Sequence, residues 1–182
     1  PLLCRRRFGS EPPAGAGPPI VLIHGFTNYG LSWAPQLSAL VHAGYRVILP
    51  DLHGHGASQP AATLCTVRSL GVDTADLLDH LGTGPAILCG LSLGGMVAQQ
   101  MAVDQPQHVA GLVVANSRAS LSGPDMAATV EGWVALFEQE NGPVRRLQST
   151  WPSLVNETFQ ASASGRAAFD AWSRVLARVP GA

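Results

Sequence analysis

A serine between closely spaced glycines is the strongest chemical feature of the sequence, in the segment Gly90-Leu91-Ser92-Leu93-Gly94. An apolar run precedes it and a helical pattern follows it, so the pattern G-x-S-x-G falls on a predicted strand-to-helix turn. Such a turn strains the serine backbone and exposes its hydroxyl at a helix N-terminus, where developing negative charge is favoured. Side chains at Gly90 and Gly94 would collide with neighbouring backbone. A plain helix cap is the alternative, but this context favours Ser92 as a nucleophile.

A second loop, His24-Gly25-Phe26, follows the first buried apolar run. A serine that attacks an acyl carbon needs two backbone N–H groups aimed at the developing oxyanion. Leu93, the residue after the nucleophile, is one expected donor, and Phe26 is the other. Gly25 would let the backbone approach closely. We interpret His24 as a structural histidine that hydrogen-bonds the loop, although a role as catalytic base is the alternative.

Three polar side chains, Asp51, His53 and His55, follow the second buried run. We interpret them as partners for the backbone of a tight, glycine-containing loop. A metal site is not expected, because no further pair of ligands accompanies them at a recognisable spacing. A base for Ser92 would have to reach its hydroxyl within hydrogen-bonding distance, and nothing in the sequence places either histidine there.

Two large side chains, Trp33 and Met96, could line an acyl pocket, although ordinary packing explains them equally well.

The three cysteines, at positions 4, 65 and 89, are odd in number and irregular in spacing, so neither a disulfide framework nor a zinc site is expected. Cys89 is predicted to be an inert core thiol. We expect no metal and no cofactor.

Buried strands are predicted from four continuous apolar runs, at residues 20–23, 45–49, 86–89 and 109–115. Helical patterns alternate with them, at residues 33–42, 66–81 and 92–104. This alternation predicts the α/β class, with a mostly parallel sheet and helices on both faces. Ligands of such sheets bind beyond the carboxyl ends of the strands, so the loops after these runs are the candidate site.

The character of the sequence changes after about residue 120. Residues 124–178 are predicted to form three or four helices with breaks at Pro143 and Pro152, and no further buried strand is evident. We therefore predict two regions: residues 1–120 as the N-terminal part of an α/β core, and residues 121–182 as a helical insertion that forms a lid.

Composition excludes several classes of partner. The 182 residues carry a formal net charge of −1, with 46% hydrophobic and only 13% charged residues, which indicates a globular rather than a disordered protein. We expect neither nucleic acid nor an acidic membrane as a partner. The basic run Arg5–Arg7 is interpreted as a solvated strand or arm. The apolar stretches are too short to span a membrane and no signal peptide is evident, so the cytoplasm is taken as the default location.

Taken together and in this order, the HGF loop, the Asp-x-x-Gly-His-Gly-x-Ser stretch and the GLSLGG segment resemble the α/β-hydrolase superfamily. The resemblance covers residues 18–120 and is to the branch of lidded esterases, lactonases and cofactor-free haloperoxidases. Residues 112–117 and the helices after them are similar to 3-oxoadipate enol-lactonases. The resemblance implies a serine hydrolase whose small-molecule substrate is a carboxylic ester or lactone. It also implies a Ser–acid–His triad and an acyl-enzyme at Ser92.

The chain departs from the family in one respect. The family order is serine, then acid, then histidine, but no histidine follows His108. Asp104 and His108 are expected on the side away from the nucleophile, and Asp125 and Asp170 in the lid. We therefore expect the last strands, the acid and the histidine to be missing, as in a truncated chain. A non-catalytic pseudoenzyme is the alternative, as is a lyase or perhydrolase. Serine at the nucleophile position argues against dehalogenase or epoxide-hydrolase chemistry.

Overall fold

The structure of the chain is a computed structural model that describes residues 5–8, 17–60, 64–120 and 124–178. The chain divides into two compact units, Pro1–Ser120 and Leu121–Ala182. The first unit contains all the described strands and the second contains only helices among its described residues.

The first unit is built on a five-stranded sheet in the order β1-β3-β2-β4-β5. The strands are β1 (Arg5–Phe8), β2 (Ile20–Ile23), β3 (Val47–Pro50), β4 (Ala86–Leu91) and β5 (Val109–Ala115). β1 pairs antiparallel with β3, and the other neighbours are parallel. The predicted α/β class with a mostly parallel sheet is confirmed. β3 begins two residues later than the strand predicted at residues 45–49, and β4 ends two residues later than the strand predicted at residues 86–89.

Three helices connect the parallel strands: α1 (Ala34–His42), α2 (Val67–His80) and α3 (Leu93–Asp104). A 3₁₀ turn, Gly30–Trp33, precedes α1 and takes up the residue at which the helix was predicted to begin. The start of α2 is fixed by a reciprocal capping box between Thr66 and Ser69, which satisfies backbone N–H groups that the helix leaves unpaired. These boundaries agree with the predicted helices to within one or two residues.

Both faces of the sheet are covered, as the apolar runs predicted. On one face α2 and α3 enclose a core that includes Val21, Ile48 and Leu88. On the other face α1 packs over a smaller cluster around Leu22 and Leu49. The central strands are therefore buried on both sides, which explains why their sequences are continuously rather than alternately apolar.

The last strand, β5, differs from the prediction that it is buried. It lies at the edge of the sheet among the described residues, and Leu112, Val113 and Val114 are each at least two-fifths exposed. A continuous apolar run does not distinguish a strand in the middle of a sheet from one at an open edge.

An apolar groove of about 420 Å³ lies on the α1 face and is lined in part by Trp33, Cys89 and Val113.

The second unit consists of four helices: α4 (Pro124–Phe137), α5 (Gly142–Leu154), α6 (Glu157–Ala161) and α7 (Ala163–Leu176). Its core joins Leu147, Trp151 and Leu176, with the ring of Trp172 packed edge-on against Trp151. The break predicted at Pro143 is present, because this proline lies in the first turn of α5 and a new helix begins there. The break predicted at Pro152 is wrong in its position: proline lacks the N–H that would donate to Gln148 O, but α5 continues for two residues beyond it and ends at Leu154. No helix in the described part of the chain is long and apolar enough to cross a membrane.

Candidate active site

Ser92 lies on the turn between β4 and α3 and is exposed. Its backbone has φ 51° and ψ −115°, a conformation that costs a side-chain-bearing residue free energy unless the surroundings impose it. The surroundings do impose it here. The Ser92 N–H donates to Ala115 O at 3.0 Å, and Ser92 O accepts from Gly95 N and from the Ser117 hydroxyl at 2.9 and 2.6 Å. The neighbouring edge strand thus holds the strained turn in place.

The glycines on either side of Ser92 are required by close backbone contacts. A Cβ atom at Gly90 would lie 2.1 Å from Gly94 O, and one at Gly94 would lie 2.2 Å from Ile23 O. Real Cβ atoms do not approach so closely, so the end of β2, the turn and the start of α3 pack directly backbone to backbone. The steric role expected of both glycines from the sequence is present in the structure.

The loop after β2 lies directly against the elbow. A Cβ atom at Gly25 would lie 3.4 Å from the Ser92 Cβ and 3.3 Å from Leu91 O. The loop turns sharply here, because the N–H of Asn28 donates to Gly25 O at 3.1 Å and Thr27 has φ 67°. The backbone of this loop and the N-terminus of α3 therefore meet beside the serine, which is where the sequence placed Phe26 and Leu93.

His24 is fully buried and both of its ring nitrogens are hydrogen-bonded. The N–H of Leu52 donates to His24 Nε2 at 3.0 Å, and Nδ1 lies 2.8 Å from Gly25 O. Burial lowers the pKa of His24 to about 4; the hydrogen bond to Gly25 opposes this shift, and the nearby His55 adds a smaller lowering effect. His24 is therefore neutral at pH 7 and occupied by the loop, which supports the structural interpretation over a role as base.

The pKa of His24 makes stability depend on pH. In the unfolded chain this group has a pKa near 6.5, so between pH 6.5 and 4 the unfolded state binds more protons and stability falls as pH falls. We expect a loss of about 3 kcal/mol over this range. Urea unfolding at several pH values would measure it. The variant His24→Asn, which lacks the titrating group, should show a flatter profile, and equal slopes for the two proteins would contradict the prediction.

The loop after β3 is organised around Asp51, which is buried. Its Oδ1 accepts from the N–H of Gly30 at 2.6 Å, and its Oδ2 accepts from the N–H of Ala57 at 3.0 Å. Gly56 has φ 55°, and a Cβ atom there would lie 2.4 Å from the carboxylate. The expected role of Asp51 within its own loop is present. Its reach to Gly30, in the loop after β2, was not predicted, because no spacing pattern signals a contact between residues so far apart.

The two histidines of this loop make their hydrogen bonds to groups other than Ser92. His53 is buried, its Nε2 lies 3.1 Å from Asp73 Oδ2, and its Nδ1 lies 3.1 Å from Gln59 O. His55 donates from Nδ1 to His53 O, and its ring packs against those of His24 and Phe26 with centroids 5.0 and 5.9 Å apart. Burial lowers the pKa of His55. The pairing of His53 with Asp73 is a contact that sequence reasoning missed.

The remaining candidates lie away from the elbow. His108 Nε2 is 2.9 Å from Asp79 Oδ1 and directly precedes β5. Ser92 bonds to Ala115 at the opposite end of that seven-residue strand, about 20 Å away at the usual rise per residue. Asp104 pairs with Arg68 at 3.2 Å. Within the described residues, no histidine is hydrogen-bonded to the Ser92 hydroxyl, and no three His, Cys, Asp or Glu side chains cluster as metal ligands would.

The two residues suggested for an acyl pocket lie in different places. Trp33 packs in the apolar cluster between α1 and the sheet, beside the groove described above. Met96 is half-buried in the first turn of α3, and its N–H donates to Ser92 O at 3.1 Å. Cys89 is also half-buried in that groove, and burial raises the pKa of its thiol. Of the two, only Met96 is close to the nucleophile along the backbone.

Comparison with known proteins identifies the class. The profile of the alpha/beta hydrolase fold family matches residues 18–166, so the chain belongs to that family. The chain is 34% identical over 135 residues to 3-oxoadipate enol-lactonase 1 of Acinetobacter baylyi, a match that covers 73% of this chain and 47% of the enol-lactonase. It is 32% identical over 115 residues to the bifunctional epoxide hydrolase 2 of Sus scrofa, covering 62% of this chain and 21% of that protein.

A solved structure gives the same result. A thermophilic esterase from Thermogutta terrifontis superposes with a TM-score of 0.83 at 29% identity, over 98% of this chain and 62% of the esterase. The chain therefore spans less than half the length of the enol-lactonase and less than two thirds of the esterase. Together these comparisons show that the chain is related to hydrolases of several substrate classes.

Proposed function

We propose that this chain carries the nucleophile and the oxyanion-binding loop of a serine hydrolase that acts on a carboxylic ester or lactone. The observation that carries the proposal is the exposed Ser92 on its strained turn, packed against the backbone of Gly25. Nucleophile and oxyanion donors must lie about 3 Å from one reacting atom. A serine held between a helix N-terminus and a second backbone loop suits that requirement.

In the proposed reaction the Ser92 hydroxyl oxygen attacks the acyl carbon while a base takes its proton. The N–H groups of Leu93 and Phe26 stabilise the negative charge on the carbonyl oxygen, aided by the N-terminus of α3. The bond between the acyl carbon and the alcohol oxygen breaks, and the alcohol leaves with a proton. Water then hydrolyses the acyl-enzyme and regenerates the serine. A lactone differs only in that the leaving hydroxyl remains part of the acyl group.

The base and the acid that orients it are proposed to come from polypeptide outside residues 1–182. The histidines of this chain support that view, because none in the described residues is hydrogen-bonded to the Ser92 hydroxyl. His24 is held by the loop backbone, His53 pairs with Asp73, and His55 donates to the carbonyl of His53. We further propose that the helices of the second unit act as a lid. The serine at the nucleophile position favours ester or lactone cleavage, because epoxide opening on this fold uses a carboxylate nucleophile.

Labelling with a fluorophosphonate tests the proposal directly. We expect a protein that includes the proposed base and acid beyond residue 182 to gain the mass of one phosphonyl group, and its Ser92→Ala variant to gain none. The exposed serine of α1 supplies a matched control, since Ser38→Ala should label like the unmodified protein. The 182-residue chain alone should label at least 10³-fold more slowly, because an unassisted serine is a weak nucleophile.

Each result has a distinct meaning. Failure of the longer product to label would refute the hydrolase proposal and favour a non-catalytic protein on the same fold. Rapid labelling of the 182-residue chain would refute the proposal that the base lies outside it. Product analysis with esters, lactones and peroxide would separate hydrolysis from lyase or perhydrolase chemistry.

A further inference from the structure

The hydrogen bonds of His24 fix which of its nitrogens carries the proton. A backbone N–H can only donate, so the bond from Leu52 N to Nε2 requires Nε2 to be unprotonated. The proton of the neutral ring is then on Nδ1, which donates to Gly25 O at 2.8 Å. The loop after β3 therefore selects the tautomer with which His24 binds the loop after β2.

The carbonyl that His24 binds belongs to the same peptide unit as the N–H of Phe26. A peptide unit is planar, and in the trans form its C=O and N–H point in opposite directions. No cis peptide bond occurs among the described residues. Fixing the direction of Gly25 O therefore also fixes the direction of the Phe26 N–H. The Asn28 N–H, which donates to the same oxygen at 3.1 Å, adds a second constraint from the other side of the turn.

We propose that His24 is a positioning residue that aims the N–H of Phe26 by holding the carbonyl of Gly25, with Leu52 setting the tautomer that makes this possible. The inference rests on the proposed function only in so far as the Phe26 N–H is the oxyanion donor. The geometric part, that His24 determines the orientation of the peptide between residues 25 and 26, stands independently of any activity.

Two substitutions separate the two bonds of His24. In His24→Asn the side-chain amide nitrogen occupies the place of Nδ1 and can still donate to Gly25 O, but the acceptor for Leu52 is lost. In His24→Gln the amide oxygen occupies the place of Nε2 and can still accept from Leu52, but the donor to Gly25 is lost. A merely structural histidine would show losses that follow stability in both variants, whereas a positioning residue should be rescued by Asn and not by Gln.

The direct readout is the residual dipolar coupling of the Phe26 amide, which reports the direction of its N–H bond. We expect the coupling to match the unmodified protein in His24→Asn and to change in His24→Gln. In a hydrolase assay of a protein that includes the proposed base and acid, we expect kcat to fall about 10²-fold in His24→Gln with little change in KM, as on loss of one oxyanion donor, and less than about fivefold in His24→Asn. His42→Asn is the control, because His42 makes the same kind of bond on the exposed surface of α1.

Several outcomes would overturn the inference: an unchanged coupling in His24→Gln, equal changes in both variants, or equal losses of kcat. The unmodified protein provides a test that does not depend on the variants folding. Nitrogen-15 spectra of labelled histidine should show Nδ1 protonated and a coupling across the hydrogen bond from Leu52 N to Nε2, and protonation at Nε2 would refute the proposal. If Ser92 takes no fluorophosphonate, the proposed function fails while these spectra still decide the geometry.

Discussion

Replacing Gly94 with alanine is expected to lower the free energy of unfolding by about 3–5 kcal/mol. The new methyl group would lie 2.2 Å from Ile23 O, 2.6 Å from the Ile23 carbonyl carbon and 2.7 Å from His24 O. These atoms are backbone at the end of a buried central strand, so no side chain can rotate away to make room. Either α3 moves away from the sheet or the loop after β2 shifts. Chemical unfolding followed by circular dichroism would measure the loss, together with a lower melting temperature.

The second unit offers a matched control for that substitution. Gly132 also lies in a helix, but nothing lies within 4 Å of the position that its Cβ would occupy. Gly132→Ala should therefore raise stability by about 0.5–1 kcal/mol through helix propensity alone. If Gly94→Ala behaved like Gly132→Ala, the packing of the elbow against β2 would be looser than the structure shows.

Replacing Asp51 with asparagine is expected to cost about 3 kcal/mol, although the two side chains have almost the same shape. The carboxylate accepts one backbone N–H on each oxygen, from Gly30 and from Ala57. An amide has only one oxygen, so its NH₂ group would face one of these donors, and a buried donor would lose a charge-assisted bond without gaining another. The contacts of Gly30 and Gly56 with the carboxylate leave little room for the side chain to turn.

The surface pair of Asp104 with Arg68 supplies the comparison, because the arginine side chain is 69% exposed. Exposed ion pairs contribute little, so Asp104→Asn should change stability by less than about 0.5 kcal/mol. Equal and small effects of the two substitutions would show that Asp51 does not hold the two loops together. The loss in Asp51→Asn should be accompanied by changed amide resonances in the loops after both β2 and β3.

The elbow and its neighbourhood could be predicted because the evidence for them is local in sequence. A strand, a glycine-flanked serine and a helix follow one another directly, and the rule that parallel strands end at one edge places the loop after β2 beside them. Gly25 and Gly94 were assigned steric roles for the same reason. The structure identifies the atoms with which a side chain at either position would collide.

Contacts between distant segments could not be predicted. Asp51 reaches Gly30, and His53 pairs with Asp73, across intervals of 21 and 20 residues that follow no helical or strand period. The apolar run of β5 alone predicts a buried strand, whereas the expectation that the last strands of the sheet are missing predicts the exposed edge that the described residues have. Pro152 is predicted to end its helix at once, but α5 continues for two residues beyond it, so a proline fixes the end of a helix only to within a turn.

The shared anchoring of the two loops also constrains how this chain can evolve. The side chain of Asp51 binds the N–H groups of Gly30 and Ala57, and the side chain of His24 accepts from Leu52, so a change at Asp51 or His24 alters the anchoring of both loops. Such positions are expected to drift together or not at all. Phe26 contributes to the proposed chemistry through its backbone, while its ring is 42% exposed and packs edge-on against His55. New substrate preferences can therefore arise at this side chain while the ancestral catalytic geometry is inherited unchanged.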